Sequence, residues 1–183
     1  MYTTSSQTIG PYLHIGMAWA VDPEFAGPAV KGERITVEGR IVDGDGSAVS
    51  DAMLEIWQAN AQGRYAHPDD TRELSLDDGF MGWGRVTTGE DGRFRFRTIK
   101  PGRVPGANGM QAPHLNVTVF MRGMLKQLVT RIYFSGDAAN DEDPVLKLVP
   151  ESRRDTLVAR PGNGVLEWNI VLQGRGETVF FVI

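Results

Sequence analysis

Apolar residues recur at every second position through most of this chain, in short runs bounded by glycine, and a period of two is the signature of half-buried strands. In "ERITVEGRIV" Ile35, Val37 and Ile41 point one way. "AMLEIWQAN" sets Leu54 and Ile56 against Glu55 and Trp57, and "GRFRFRTIKPG" alternates Phe94 and Phe96 with arginines after an Asp91-Gly92 turn, which together read as a meander. "PHLNVTVFMRG", "KQLVTRIYF", "GVLEWNIVL" and "GETVFFVI" add four further β-rich runs. Many short strands with 22 glycines between them predict an all-β fold, an antiparallel β-sandwich with long loops and one or two short helices. The helical exceptions are "EDPVLKLVP", with Asp143 as N-cap and Pro144 behind it, and "ESRRDTLVAR".

Length and charge narrow the function. With 183 residues the expectation is one domain spanning 1–183, made of an N-terminal wrapping segment (1–32) and a sandwich core (33–183). The stretch from Gln62 to Gly84 is the longest irregular loop, a length that suits a binding loop. A formal charge of −4 with scattered arginines predicts no nucleic-acid partner. There is no apolar run of membrane-spanning length, and "MYTTSSQTIG" has no secretory character, so the expected location is the cytoplasm with no membrane partner. Without cysteine, any metal must be held by oxygen and nitrogen donors.

Few side chains offer chemistry. "DGDGS" opens like a calcium loop, but its closing position falls on Leu54, so a hairpin turn is the reading. The acidic "DAANDEDP" suits a solvated loop entering a helix better than a cation site. His67 in "GRYAHPDD" reads as a loop residue, His14 as an ordinary hydrogen-bonding one, and His114 taken alone as a satisfied strand histidine. In "QAPHLNVTVF", however, His114 and Asn116 share one face of a strand, where a pair of histidines would aim two imidazoles at one point.

Read in order, "SSQTIGPYLHIG", "LEIWQANAQGRY", "FRTIKPG", "APHLNVTVF", "LVTRIYF" and "GETVFF" resemble the intradiol ring-cleaving dioxygenases, and most closely the iron-free chain of the two-chain members of that family. The resemblance implies a β-sandwich, opening of an aromatic ring with O2, and Fe(III) held by two tyrosines and two histidines. Two phenolates and two imidazoles suit a hard, highly charged ion. Tyr65 matches the first tyrosine and His114 the first histidine, whereas Val104 and Asn116 stand where the second of each is expected. A valine has no donor atom and an amide is neutral and weakly basic. The resemblance therefore implies vestigial metal positions at Tyr65, Val104, His114 and Asn116, with no metal and no catalytic residue in this chain alone.

The same resemblance implies a partnership. A homologous β chain carries Fe(III), and this chain closes the substrate pocket of an α–β hetero-oligomer that converts protocatechuate and O2 to 3-carboxy-cis,cis-muconate. The matching pocket residues are Thr8, Gly10, Pro11 and Tyr12 in "TIGPY", and Arg122, whose guanidinium suits an anionic substrate. Pairing of two sandwiches also predicts apolar residues, such as Trp83 or the "VFFVI" tail, that look misplaced on one chain. Two alternatives stay open: an autonomous metalloenzyme recruiting His67 or Asp69 beside Tyr65 and His114, and a sandwich with no catalytic involvement.

Overall fold

The computed structural model describes residues 4–16 and 18–182; the side chain of His14, and Ile183 at the end of the apolar tail, lie outside the described set. Eleven strands are described: β1 (Arg34–Val42), β2 (Met53–Trp57), β3 (Trp83–Thr87), β4 (Arg93–Ile99), β5 (Val104–Gly106), β6 (Gly109–Gln111), β7 (His114–Phe120), β8 (Leu128–Phe134), β9 (Val158–Gly162), β10 (Val165–Glu167) and β11 (Ile170–Val171). The α-helices are one turn or little more, α1 (Tyr12–Gly16) and α2 (Glu151–Arg154), with a few 3₁₀ turns beside them. This is the expected all-β class.

The strand order β11-β1-β10-β9-β8-β7-β2-β3, with β4 on β1, makes two layers that meet at β9. β9 pairs antiparallel with β10 and parallel with β8, so it belongs to both. The alternation read in the sequence supplies the filling. Val37, Ile41, Phe94 and Phe96 from one layer meet Leu54, Ile56, Leu115, Val117 and Ile132 from the other in a single buried cluster. Phe25, from the segment before β1, stacks on Phe96 with ring centroids 5.1 Å apart.

Three details differ from the sequence expectation. The sheet is mixed rather than purely antiparallel, because the C-terminal strands β10 and β11 return parallel to β1. β3 and β4 do not form a meander: β3 pairs with β2 and β4 with β1, so the Thr88–Gly92 turn crosses between layers. Gly92, at φ +76°, makes that crossing possible, since a Cβ there would sit 2.7 Å from the Ile41 carbonyl oxygen. "GVLEWNIVL" is also broken in two, where the Trp168 carbonyl lies so close to β1 that a Cβ on Gly39 would stand 1.7 Å from it.

The outer face of β7 and β8 is covered by the excursion between β8 and β9. Tyr133 and Ala112 pack there with Leu146, Val149 and Leu157. The N-cap of the 3₁₀ turn Leu146–Leu148 is Val145, not Asp143 as expected, although the Asp143 carboxylate accepts from the Val145 and Leu146 amides at 2.8 and 2.7 Å. Asp143 is fully buried, not part of a solvated loop as the sequence suggested, because it also accepts from the Ala112 amide and the Tyr133 hydroxyl. Of the two places expected to look apolar and misplaced, Trp83 is half-buried beneath the Arg85 guanidinium, while Val182 in the tail is fully exposed. Among the described residues no helix is long and apolar enough to cross a membrane.

Candidate functional site

Side chains that the resemblance singles out gather at the two ends of β7. At its start, His114 and Asn116 share the outer face, while Leu115 and Val117 point into the core. The register across three strands sets Trp57 of β2, Asn116 of β7 and Arg131 of β8 in one row, with His114 opposite Tyr133 in the next. Tyr65, on the long loop, lies parallel to the Trp57 ring at 5.7 Å, beside the Asn116 side chain. Its backbone amide is anchored by Asp70, whose carboxylate is held in turn by Arg72 at 2.5 Å. Val104 is buried in the small β5–β6 hairpin opposite Gln111. Gln111 accepts a 2.6 Å hydrogen bond from Arg131, which also reaches the Tyr133 hydroxyl at 3.3 Å.

Burial dominates the titration of this region. His114 is depressed to about 4, first by desolvation and then by the nearby Arg131 charge, so it is neutral near pH 7. Its Nδ1 lies 2.7 Å from the Ala112 carbonyl, which a neutral imidazole satisfies by donating, leaving the lone pair on Nε2. That Nε2 is buried without a hydrogen-bond partner. Burial also raises Tyr65, against the pull of Asn116 and Arg131, so its phenol keeps the proton. Tyr133 is raised for the same leading reason.

The fit to a ferric ion can be judged from these donors. His114 has the posture of a ligand, one nitrogen fixed by a backbone carbonyl and the other bare. Tyr65 supplies an oxygen. The other two positions offer a hydrocarbon at Val104 and a neutral, weakly basic amide at Asn116, while the Arg131 guanidinium brings positive charge. The set does not fit Fe(III). His67 and Asp69, the alternative donors, face each other at 3.7 Å on the surface and line, with Tyr65 and Arg72, an open cavity of about 400 Å³.

The far end of β7 is different in kind. Arg122 comes directly after the strand, and its side chain is 78% exposed. Asp51 holds the guanidinium through Nε at 3.1 Å, which leaves the terminal nitrogens free to bind an anion. Gly10, Pro11, Asp51 and Arg122 line one cleft of about 320 Å³. Thr8 is not part of its lining; its hydroxyl accepts from the Gly123 amide at 2.8 Å and donates to the Met121 carbonyl at 3.3 Å, bracketing Arg122. Pro11 stands just before α1, and its carbonyl accepts the first helical hydrogen bond, from the Ile15 amide at 3.2 Å. Tyr12, the first residue of α1, does not line the cleft either; it is 69% exposed, with its ring over Gly16.

Two residues here, Arg131 and Asp51, were not singled out from the sequence, and Asp143 was read only as a helix cap. Arg131 is a charged residue inside the apolar run "LVTRIYF", the one signal that would have marked it. Asp51 and Asp143 carry no such mark, because their partners are distant in sequence and known only from the fold.

Comparison with known proteins accords with the geometry. A dioxygenase family model matches residues 22–174. The chain is 45% identical to the protocatechuate 3,4-dioxygenase alpha chain of Burkholderia cepacia, over 97% of this chain and 96% of that one. Identity to the alpha chain of Pseudomonas putida is 41%, over 97% and 95%. The Burkholderia cepacia beta chain is also 41% identical, over 80% of this chain and 67% of its own length. Among solved structures, an intradiol ring-cleavage dioxygenase from Tetranychus urticae superposes with a TM-score of 0.65 at 18% identity, covering 82% of this chain and 84% of that one. Catechol 1,2-dioxygenase from Pseudomonas arvilla C-1 gives 0.64 at 22%, covering 82% and 55%, and at such identities the likeness concerns the fold.

Proposed function

From the premise that this chain belongs to the intradiol ring-cleavage dioxygenase family, we propose that it is the alpha chain of a protocatechuate 3,4-dioxygenase. In this reading it works in an α–β hetero-oligomer in which the iron is bound by the β chain, and residues 1–183 form one unit acting in the cytoplasm. The observation that carries the reading is the mismatch at the start of β7, where Val104 and Asn116 leave a would-be site with two usable donors. An enzyme subunit without its own metal centre must contribute by other means, and the cleft at the opposite end of β7 supplies them.

Protocatechuate is a dihydroxybenzoate, and its carboxylate needs a cationic partner away from the ring carbons being opened. Arg122 meets that need, with its terminal nitrogens free and Asp51 limiting the swing of its guanidinium. Gly10 and Pro11 form the opposite wall with little side-chain bulk. Fe(III) in the partner supplies the activation of the catechol toward O2. This chain binds, orients and screens the substrate from water. Tyr12, projecting beside the cleft from α1, is the residue placed to reach a partner's pocket.

Co-expression with an iron-bearing β chain tests the proposal. The two chains are expected to co-purify, with iron at one per pair and protocatechuate turnover present in the pair and absent from either chain alone. The bare Nε2 of His114 favours one second reading, an autonomous metal centre. Iron at one per chain in the separately purified protein, with a phenolate-to-iron absorption band and unaided ring opening, would establish that reading and overturn the first.

A further inference from the structure

The open end of β7 is built on the register of the sheet. Strands β2 and β7 pair antiparallel, with Trp57 across from Asn116 and Met53 across from Phe120. Continued two steps beyond Met53 and Phe120, the same register sets Asp51 across from Arg122. Their contact, Nε to Oδ2 at 3.1 Å, is therefore a cross-strand ion pair at the mouth of the cleft that both residues line. Asp51 is the firmer of the two: its side chain is 30% exposed against 78% for Arg122. The residue after it, Ala52, is fully buried and tied to Thr88 twice, its amide donating to the Thr88 hydroxyl and its carbonyl accepting from the Thr88 amide, each at 3.0 Å. Among the described residues Asp51 is the one partner of the Arg122 guanidinium.

We propose that Asp51 positions Arg122 for substrate selection: by holding Nε from the far side it turns the two terminal nitrogens into the cleft, and so favours ring substrates that carry a carboxylate over those that do not. Two parallel N–H donors match a carboxylate only when the guanidinium plane is fixed. A long, exposed side chain without that anchor samples many rotamers, and their loss on binding weakens affinity. A carboxylate at the mouth of the cleft also repels an anionic ligand. Water and salt screen that repulsion in an open cleft, over about 8 Å at physiological ionic strength, so the ordering of Arg122 is the larger effect. The inference rests on reading Arg122 as the partner of the substrate carboxylate, and the two fail separately. An Arg122→Ala assembly that turns over protocatechuate as before removes that reading, whereas an assembly that depends on Arg122 and is indifferent to Asp51 removes this one.

The experiment is a double-mutant cycle on the assembled enzyme, this full chain with its iron-bearing β chain: unaltered, Asp51→Ala, Arg122→Ala and Asp51→Ala/Arg122→Ala. Steady-state kinetics are measured on protocatechuate and on catechol, in low and high salt. Asp51→Ala is expected to raise KM for protocatechuate about tenfold with kcat within about twofold, and to leave both constants for catechol unchanged. Once Arg122 is gone, the same substitution should change KM by less than about twofold, a coupling that a merely structural role for Asp51 does not produce. The tenfold rise should persist in high salt, because it comes from the freedom of Arg122 and not from the net charge of the cleft. Asp51→Asn keeps an oxygen that accepts from Nε and should fall between the unaltered enzyme and Asp51→Ala. Should Asp51→Ala fail to assemble, Asp51→Ser, whose hydroxyl is too short to reach Nε, is carried through the same cycle. A protocatechuate KM that is unchanged or lowered, or that rises equally for catechol or in the Arg122→Ala background, overturns the proposal.

Discussion

At the start of β7 the chain closes on itself: His114 is held by the Ala112 carbonyl, Tyr65 stacks on Trp57 beside Asn116, and Tyr133 joins Arg131 to the buried Asp143. At its end, eight residues and roughly 26 Å further on, Arg122 stands open to solvent with a single partner and free donors. The first region satisfies most of its polar groups internally, the bare Nε2 of His114 excepted, so a change there is felt as stability. The second leaves donors unspent, so a change there is felt as binding. On the proposed reading, a strand engaged within its own chain at one end and open at the other suits a subunit whose iron lies in its partner.

The sharpest test of that contrast is Tyr65→Ala. The substitution removes the ring stacked on Trp57 and is expected to cost about 3 kcal/mol of stability. Denaturant unfolding of the chain measures the loss, while kcat of the assembled enzyme is expected to stay within about twofold of the unaltered one, because the proposed substrate cleft lies at the other end of β7. A large fall in kcat with stability intact would merge the two regions and break the comparison.

Arg122→Ala should show the reverse. Loss of a charge-assisted contact to the substrate carboxylate is expected to lower kcat/KM of the assembly about 100-fold, near 3 kcal/mol. The unfolding midpoint should hardly move, since the exposed Arg122–Asp51 pair contributes little to folding. Arg122→Lys keeps a charge but not the fork and should recover only part of the loss. Steady-state kinetics against protocatechuate and against catechol, which has no carboxylate, sharpen the assignment: only the first should depend on Arg122.

The sealed end also predicts a pH signature. The pKa of His114 in the folded chain lies near 4, below its unfolded value of about 6.5, so the unfolded chain takes up the proton first as pH falls. Stability from this group is complete above pH 7 and is lost as pH drops from 6.5 toward 4, amounting to about 2 kcal/mol by pH 5. Unfolding curves at stepped pH measure it, and His114→Gln should flatten the slope over that window. A slope unchanged by the substitution would place the titrating group elsewhere.

Much of this architecture was legible in the sequence, for reasons that differ between the two ends. Alternation fixed the inward faces correctly, because burial of Ile35, Val37, Leu54 and Ile56 is decided by a local period of two. Pairing partners were less legible. Nothing in the Thr88–Gly92 turn distinguishes a hairpin from a crossing between layers, and the parallel return of β10 and β11 depends on where β9 lies. Within the site, missing donors at Val104 and Asn116 could be seen as letters in a row, but the arginine that joins their surroundings could not. Arg131 meets Gln111 and Tyr133 only after β8 has paired with β7, and a surface strand arginine looks identical in sequence. Thr8 was expected to shape a wall and instead fastens the turn that carries Arg122.

That fastening carries the smallest prediction. The hydroxyl of Thr8 makes two hydrogen bonds to the backbone on either side of Arg122, one accepted from Gly123 and one donated to Met121. Thr8→Val preserves shape and removes both, and because the groups are exposed and water can replace the hydroxyl, the expected cost is about 1 kcal/mol. This free energy belongs to docking of the N-terminal segment and not to folding of the sandwich, whose core lies on the other side of β7. The unfolding midpoint should therefore be unchanged, the Gly123 amide should exchange faster, and KM for protocatechuate should rise about fivefold with kcat retained. Thr8→Ser, which keeps the hydroxyl, should behave as the unaltered chain. If Thr8→Val lowered global stability while leaving KM alone, the N-terminal segment would be part of the sealed framework, and the open end of β7 would have no movable wall.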